Sequence, residues 1–222
     1  MTSWSTWASL ATAVGTLVLA AATFASIRSA NRSARVSEFA ARTAERALLA
    51  NQRPLLVNSR FQDPQQKVEF LEGCVQVVDG GTAEFTAGES IIYMSASLRN
   101  VGTGLAVLHG WIVDVGRQTE RVHPPFSDFT EQIRDIYIAP GDVGFWLGTL
   151  RDPTAEIFDA VAQAITNEEM LMLYLLYGDF EGGQRIITQF ATRWGKDKWR
   201  LAVGRHFNVD RPEPRPVHGN GG

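Results

Sequence analysis

The pattern of apolar and polar residues begins with an uninterrupted apolar run. No residue from Ala8 to Ile27 is charged, and Arg28 follows directly. At 1.5 Å per residue, a helix of this length spans roughly 30 Å, the thickness of the hydrocarbon core of a bilayer. Trp4 and Trp7 precede the run, where interfacial aromatic residues are expected. The pattern predicts an N-terminal transmembrane anchor over residues 1–27.

A cleaved signal peptide is the alternative interpretation of this run, because Ala20, Ala21 and Ala22 resemble a small-residue cleavage site. Signal peptides begin with a positively charged region, whereas residues 1–7 contain neither Lys nor Arg. The composition therefore favours a retained, single-pass anchor in the lipid bilayer.

Positive charge follows the apolar run and does not precede it, apart from the terminal amine. The basic residues within the first twenty positions after the run are Arg28, Arg32, Arg35, Arg42 and Arg46. By the positive-inside rule, this side faces the cytoplasm and the N-terminus lies outside. The single cysteine, Cys74, agrees with a reducing compartment. We therefore expect a cell-membrane protein with a cytoplasmic C-terminal domain.

The next segment has helical composition, because no Gly or Pro occurs between Ile27 and Pro54 and good helix formers dominate. Residues recur at the 3-4 spacing of a coiled-coil seam at Ile27, Ala30, Ala34, Ser37, Ala41, Ala44, Leu48 and Asn51. The sequence predicts that the anchor continues into a helical stalk over residues 28–53.

Small residues on this helix favour close packing with another helix. Ala11 and Gly15 have small-xxx-small spacing, and Ala34 and Ala41 lie on the coiled-coil seam. They predict a parallel homodimer through the transmembrane and stalk helix. Two alternatives stay open: the seam packs on the protein's own β domain, or the neighbouring arginines lie on anionic lipid headgroups.

After Pro54, short apolar runs alternate with clusters of Gly, Pro, Asp and Asn, which is typical of strands and turns. Met94 and Leu98 alternate with Ser95 and Ser97, the pattern of a half-buried strand. The predicted strands are Leu55–Phe61, Lys67–Val78, Ser90–Arg99, Leu105–Val115, Val143–Leu150, Met170–Tyr177, Arg185–Thr192 and Lys198–Phe207.

One helix interrupts the strands. Asp152 is its expected N-cap, Pro153 lies in its first turn, and its apolar stripe comprises Phe158, Val161 and Ile165. We therefore predict a mainly β fold with helices, in which an antiparallel β-sandwich-like domain with one inserted helix occupies residues 54–210. The tail over residues 211–222 is rich in Pro and Gly and is predicted to be disordered.

Charge separates the stalk from the domain. The chain of 222 residues has a formal net charge of −3, to which residues 28–53 contribute +4 and residues 54–222 contribute −7. A basic collar beside an acidic domain suits a membrane protein whose domain lies in the cytoplasm. The acidic domain would repel phosphate groups, so no nucleic acid is expected as a partner.

A polar cluster is expected at one end of the last three strands. Gly182 and Gly183 suit a hairpin turn, and the following strand reverses again near Gly195, so the third strand ends beside the first turn. This arrangement gathers the candidate ligand-binding residues Asp179, Glu181, Gln184, Arg185, Arg205, His206, Asn208 and Asp210. The alternative is structural, because polar turn residues often bond their own backbone and Arg–Asp pairs often close the end of a sheet.

Recognisable catalytic motifs are missing from the sequence. It contains no Gly-x-Ser-x-Gly elbow and no Walker sequence, and its histidines never pair at metal-ligand spacing. We therefore predict no cofactor and no metal, although tertiary contacts could still assemble a metal site. The catalytic residues, if the domain has any, are unknown from the sequence.

The second half contains Leu176-Tyr177-Gly178-Asp179, then Glu181-Gly182-Gly183-Gln184-Arg185, then Arg205-His206-Phe207-Asn208 and Asp210. This pattern resembles one that recurs in uncharacterised single-pass membrane proteins of actinobacteria. The resemblance covers the anchor, the stalk and about the last fifty residues of the domain. It implies a natural architecture and an actinobacterial source, and it supplies no catalytic residues.

Together these features predict a membrane-anchored cytoplasmic interaction or scaffold protein that binds a protein partner and is not an enzyme. The alternative is a ligand-sensing or hydrolytic domain that uses the polar cluster.

Overall fold

The computed structural model describes residues 3–116 and 122–211. The chain divides into two compact units, Met1–Leu48 and Leu49–Gly222. All but the first residue of the predicted disordered tail lies outside the described residues.

The first unit is formed by helix α1, which spans Ser3–Asn51 without a break, as the helix-forming composition predicts. Its most apolar 18-residue window has a mean hydropathy of 1.5, and no residue in that window is buried. The hydroxyl groups of Thr16 and Thr23 donate to the carbonyls of Thr12 and Leu19, at 2.8 Å each. In the described part of the chain, this is the one helix long and apolar enough to span a membrane.

The residues predicted to pack helices together are exposed in the single chain. Gly15, Ala34 and Ala41 lie on the surface of α1, and the side chain of Ala11 lies outside the described residues. Glu38 and Arg42 form an ion pair of 2.6 Å one turn apart. Coiled-coil pairing and the homodimer remain predictions.

The second unit is the predicted β-rich domain with one inserted helix. Its elements in chain order are β1 Leu56–Asn58, β2 Gln66–Glu69, β3 Val75–Val78, β4 Thr82–Ala87, β5 Ile92–Asn100, β6 Ala106–Val115, a 3₁₀ helix Phe126–Asp128, β7 Thr130–Glu131, β8 Tyr137–Ile138, β9 Val143–Leu150, α2 Glu156–Thr166, β10 Leu171–Gly178, β11 Ile186–Trp194 and β12 Trp199–Asn208. Every strand pair among the described residues is antiparallel.

The main sheet has two parts that meet at a narrow corner. One part contains β9, β5, β4 and β1, and the other contains β12, β11, β10, β6 and the short strands β7 and β8. Only Trp199 with Ala83 and Arg200 with Thr82 are paired at the corner between β12 and β4. The hairpin of β2 and β3 forms a separate two-stranded sheet.

The core unites side chains from both parts of the sheet. Trp111 of β6 and Trp146 of β9 meet edge to face, with ring centroids 5.5 Å apart. Helix α2 adds Phe158 and Val161 to the same buried cluster, as its apolar stripe predicts. A second, smaller apolar cluster on the opposite face of β10–β12 contains Met172, Tyr174, Ile187 and Phe207.

Three local predictions were wrong. The run Lys67–Val78 is a hairpin, because Gly73 adopts a φ of +79° and reverses the chain between β2 and β3. Strand β4 was not predicted. Helix α2 begins at Glu156 after Ala155, whereas Asp152 accepts a hydrogen bond from the Thr154 backbone in the preceding turn.

Strand β5 is buried more completely than its alternation predicts. Ser95 and Ser97 are both buried, and they are hydrogen-bonded at 2.6 Å to Gln76 and Ser59 respectively. The β2–β3 hairpin covers this second face, where Phe70 packs edge to face on Tyr93. Polar residues therefore line a covered face of β5, with their hydrogen bonds satisfied inside the domain.

Candidate functional site

The last three strands form the predicted meander. β10 pairs with β11 and β11 pairs with β12, with Ile186 opposite Asn208 at the end beside the first turn. This register places all eight predicted residues at one end of the sheet. They do not form one constellation, because neighbouring residues of a strand point to opposite faces.

The turn between β10 and β11 is organised by Asp179. This side chain is buried, and its Oδ1 accepts a hydrogen bond of 2.8 Å from the Gly183 backbone. Its Oδ2 accepts a longer bond of 3.4 Å from the Gln184 amide. Gly182 adopts a φ of +75°, which the tight turn requires. Asp179 therefore closes its own turn, and Glu181 lies exposed at the tip.

Arg185 and Asp210 join the first turn to the end of β12. Arg185 donates to Asp210 from its backbone N–H at 2.7 Å, from Nη2 at 2.8 Å and, at a longer 3.3 Å, from Nε to both carboxylate oxygens. The Arg185 guanidinium also lies 5.2 Å from the ring centroid of Phe126. Hydrogen bonding by Arg185 lowers the pKa of Asp210, and the same contact raises the pKa of Arg185.

On the core side, a buried chain of hydroxyl groups links three strands. Thr188 Oγ1 lies 2.8 Å from Tyr177 Oη and 2.8 Å from His206 Nδ1. Tyr177 Oη also accepts a 3.0 Å bond from the backbone N–H of Leu56. Burial raises the pKa of Tyr177 to about 12, so its phenol stays protonated at neutral pH.

The two remaining predicted residues lie on opposite sides of β12. Asn208 Oδ1 accepts a hydrogen bond from Arg53, two residues after the end of α1. Arg205 extends over the ring of Phe207, 5.5 Å from its centroid, near the second apolar cluster. The predicted cluster is therefore divided between two faces of the sheet.

His109 belongs to this end of the sheet and was not predicted. It lies where the β6–β10 register shifts, and a Cβ built on Gly178 would lie 3.0 Å from His109 Nε2. Burial lowers the pKa of His109, and the nearby charge of Arg185 lowers it further. His109 is far from the hairpin in sequence, so only tertiary structure brings the two together.

The polar groups at this end of the sheet are hydrogen-bonded within the domain. Asp179, Arg185 and Asn208 all bond to other groups of the domain, and His206 bonds to Thr188. Among residues 3–116 and 122–211, no group of three or more His, Cys, Asp or Glu side chains could hold a metal ion. The geometry fits a structural network that fastens the ends of β10, β11 and β12.

Comparisons with protein-family models, curated proteins and solved structures gave no match for this chain.

Proposed function

We propose that the protein is a membrane-anchored interaction protein whose β domain holds a protein partner at the cytoplasmic face of the cell membrane. The anchor is supported by the apolar surface of α1. Leu17, Leu19 and Phe24 are exposed, with 73% of the Leu17 surface accessible. Apolar side chains of this kind gain free energy when lipid covers them.

The cytoplasmic position is supported by the distribution of charge. The arginines of α1 are exposed and lie on the C-terminal side of its apolar run, at Arg28, Arg32, Arg35, Arg42 and Arg46. Each can interact with anionic headgroups of the cytoplasmic leaflet. The negative charge of residues 54–222 favours a domain that stands away from those headgroups.

The observation that carries the proposal is the internal bonding of the polar cluster. A catalytic or binding centre aims polar groups at its substrate. Here the charged group best placed to act, Arg185, is held by Asp210 through bonds of 2.7 Å and 2.8 Å. Because the polar residues of the cluster are hydrogen-bonded within the domain, a membrane-anchored domain of this kind is better suited to binding a protein partner than to acting on a substrate.

Ligand sensing or hydrolysis remains the second candidate, and His109 is the observation that favours it. Its lowered pKa keeps the imidazole neutral near pH 7, and the charges of Arg185 and Asp179 act on it. A neutral imidazole beside a guanidinium can accept a proton while the cation binds an anionic ligand. This function requires Arg185 to exchange Asp210 for the ligand.

Co-purification from gently solubilised membranes tests the proposal. We expect one protein to be recovered with the tagged full-length chain at near one copy per chain. It should be absent when residues 54–222 are deleted. An Arg185→Ala chain should retain this partner, because Arg185 fastens the strand ends. The interaction proposal fails if the full-length chain is recovered alone. Loss of binding in folded Arg185→Ala would instead favour a site at the polar cluster.

A further inference from the structure

The hairpin that joins β11 to β12 is basic. Residues 193–200 contain one acidic residue, Asp197, and four basic residues, Arg193, Lys196, Lys198 and Arg200, and all five are exposed. Residues 54–222 together have a formal net charge of −7, so this basic hairpin is a local exception in an acidic domain. It lies at the end of β11 that is remote from the β10–β11 turn and its polar cluster.

Two arginines face each other across the basic hairpin. Arg193 of β11 is the register partner of Arg200 of β12, so both side chains project from the same face of the sheet. Like charges placed directly opposite each other destabilise a strand pair. Among the described residues, neither side chain has a carboxylate or carbonyl partner, whereas Arg151 and Arg185 each pair with a carboxylate. An anion held between the two guanidinium groups would relieve their repulsion.

An open groove beside Arg200 gives room for a ligand. Its volume is about 600 Å³, in the range of small-molecule sites. The basic residues that line it are Lys196, Lys198 and Arg200. Phe61 also lines it, and the Arg200 guanidinium lies 4.9 Å from the centroid of this exposed ring. Arg200 is thereby positioned at the groove, and Arg193 faces it from the neighbouring strand.

The hairpin turn adds Lys196 to the groove. The backbone N–H of Gly195 donates to the carbonyl of Lys198 at 3.0 Å, so Lys196 and Asp197 form a two-residue turn. Their φ angles are +54° and +61°, in the left-handed region where Gly and Asn are the usual residues. A lysine in this conformation has a cost in backbone energy, and here it places a further cation at the groove.

The carboxylates that line the groove are already paired. Asp63 accepts a 2.8 Å hydrogen bond from Arg99, and Asp79 accepts one from Lys198. The lining cations that have no carboxylate partner in the described part of the chain are Lys196 and Arg200.

Two further carboxylates lie near the groove without lining it. Asp197 is exposed in the turn. Glu84 of β4 is half-buried, and burial, with the neighbouring charge of Asp79, raises the pKa of its carboxyl, whereas Lys198 lowers it. Neither Asp197 nor Glu84 forms an ion pair with a residue of the described ranges. The positive charge that faces the groove is therefore not neutralised by a bonded carboxylate.

Charge selects the class of ligand. A phosphate monoester carries about −1.5 to −2 charges at neutral pH and three acceptor oxygens, whereas a carboxylate or a phosphodiester carries a single charge. The planar fork of arginine matches phosphate oxygens two at a time. Arg193 and Arg200, with Lys196 beside them, therefore match a phosphate monoester best. A large anion such as a nucleic acid would also meet the negative charge of the rest of the domain.

We propose that the basic hairpin binds a phosphate monoester group, which lies between Arg193 and Arg200 and is contacted by Lys196. The remainder of the ligand occupies the groove beside Phe61. This inference goes beyond the proposed function, because the site is separate from the polar cluster and takes a phosphate ligand rather than a protein. The phosphate can belong to a soluble compound or to a lipid headgroup such as that of phosphatidic acid, and the experiment distinguishes the two.

Thermal unfolding with inorganic phosphate as the probe tests the inference. The full-length protein is held in phosphatidylcholine nanodiscs at constant ionic strength, and unfolding is followed by tryptophan fluorescence. We expect a saturable rise in melting temperature, because the phosphate binds the folded domain. Arg193→Gln should weaken the affinity for phosphate by about tenfold or more. Arg134→Gln is the matched control, because Arg134 is exposed in the β7–β8 loop, and it should respond like the wild type.

The same variant separates a ligand-binding arginine from a structural one. Without phosphate, Arg193→Gln should keep or raise the melting temperature, because it removes the repulsion from Arg200. A lower melting temperature for Arg193→Gln without phosphate would contradict the inference. It would also be overturned if phosphate produced no saturable rise, or if the rise were equal in the wild type and Arg193→Gln, as a general salt effect would give.

Nanodiscs that contain phosphatidic acid distinguish the two sources of the phosphate. If the ligand is a lipid headgroup, this lipid should itself raise the melting temperature, only when Arg193 is present, and inorganic phosphate should add nothing. If the ligand is soluble, inorganic phosphate should raise the melting temperature equally in both kinds of nanodisc.

Discussion

Replacing Asn100 with alanine is expected to destabilise the β domain by about 3–5 kcal/mol. Asn100 is fully buried and uses both ends of its amide. Its Oδ1 accepts from the backbone N–H groups of Leu55 and Gly102, at 3.1 and 2.9 Å. Its Nδ2 donates to the carbonyls of Gly104 and Ile138, at 2.7 and 2.9 Å. Alanine would leave four backbone groups without this partner, at about 1–3 kcal/mol for each one that stays dry.

Urea unfolding of the full-length chain in mild detergent, followed by tryptophan fluorescence, measures this loss. Asn167→Ala is the matched control, because Asn167 is exposed and its amide bonds only to Glu169 among the contacts described. Asn100→Asp should be destabilising as well, since a carboxylate keeps the acceptor and places negative charge against two carbonyls. A loss of less than about 1 kcal/mol for Asn100→Ala would contradict this account of how the chain is fastened where it leaves α1.

The second large effect concerns the anchor. Replacing both Leu17 and Leu19 with arginine should release the chain from the membrane, because both leucines lie in the apolar part of α1 and are exposed. Each arginine near the centre of a spanning helix costs about 3 kcal/mol of insertion free energy, or about 6 kcal/mol together. No carboxylate of α1 lies within this part of the helix to pair with the new charges.

Flotation of cell lysates through a density gradient, with alkaline carbonate extraction, measures membrane attachment. The control is the double variant with Ala34→Arg and Ala41→Arg, which adds the same charge to an exposed part of α1 beyond the apolar run. We expect the control to float with the membranes and the Leu17, Leu19 variant to remain at the bottom. Equal flotation of both variants would show that the apolar run is not what holds the chain.

The sequence predicts those elements whose signal is local. The single helix α1, the strands β5 and β9 and the β10–β12 meander follow from apolar runs and turn residues. β4 was missed because Phe85 is the one large apolar residue of Thr82–Ala87, and the run directly follows Gly80 and Gly81, which indicate a turn. β4 is held as a strand by its pairing with β5 on one side and with β12 on the other.

The side-chain contacts of the polar cluster were likewise predictable only where the residues are close in sequence. Turn residues and strand lengths suffice to place Arg185 beside Asp210, because the meander is local. They do not show that Tyr177 reaches Leu56, 121 residues away, or that His109 lies against Gly178. These contacts depend on how distant strands pair, and they determine which groups the members of the cluster bond to.

The proposed function depends most directly on the side of the membrane on which the β domain lies. Trypsin treatment of sealed vesicles, with an epitope at the C-terminus, measures this. In inside-out vesicles we expect trypsin to cleave among the exposed arginines between Arg28 and Arg46 and to release the β domain. In right-side-out vesicles the chain should stay intact until detergent is added. Release of the domain from intact right-side-out vesicles would place it outside the cell and would contradict a role at the cytoplasmic face.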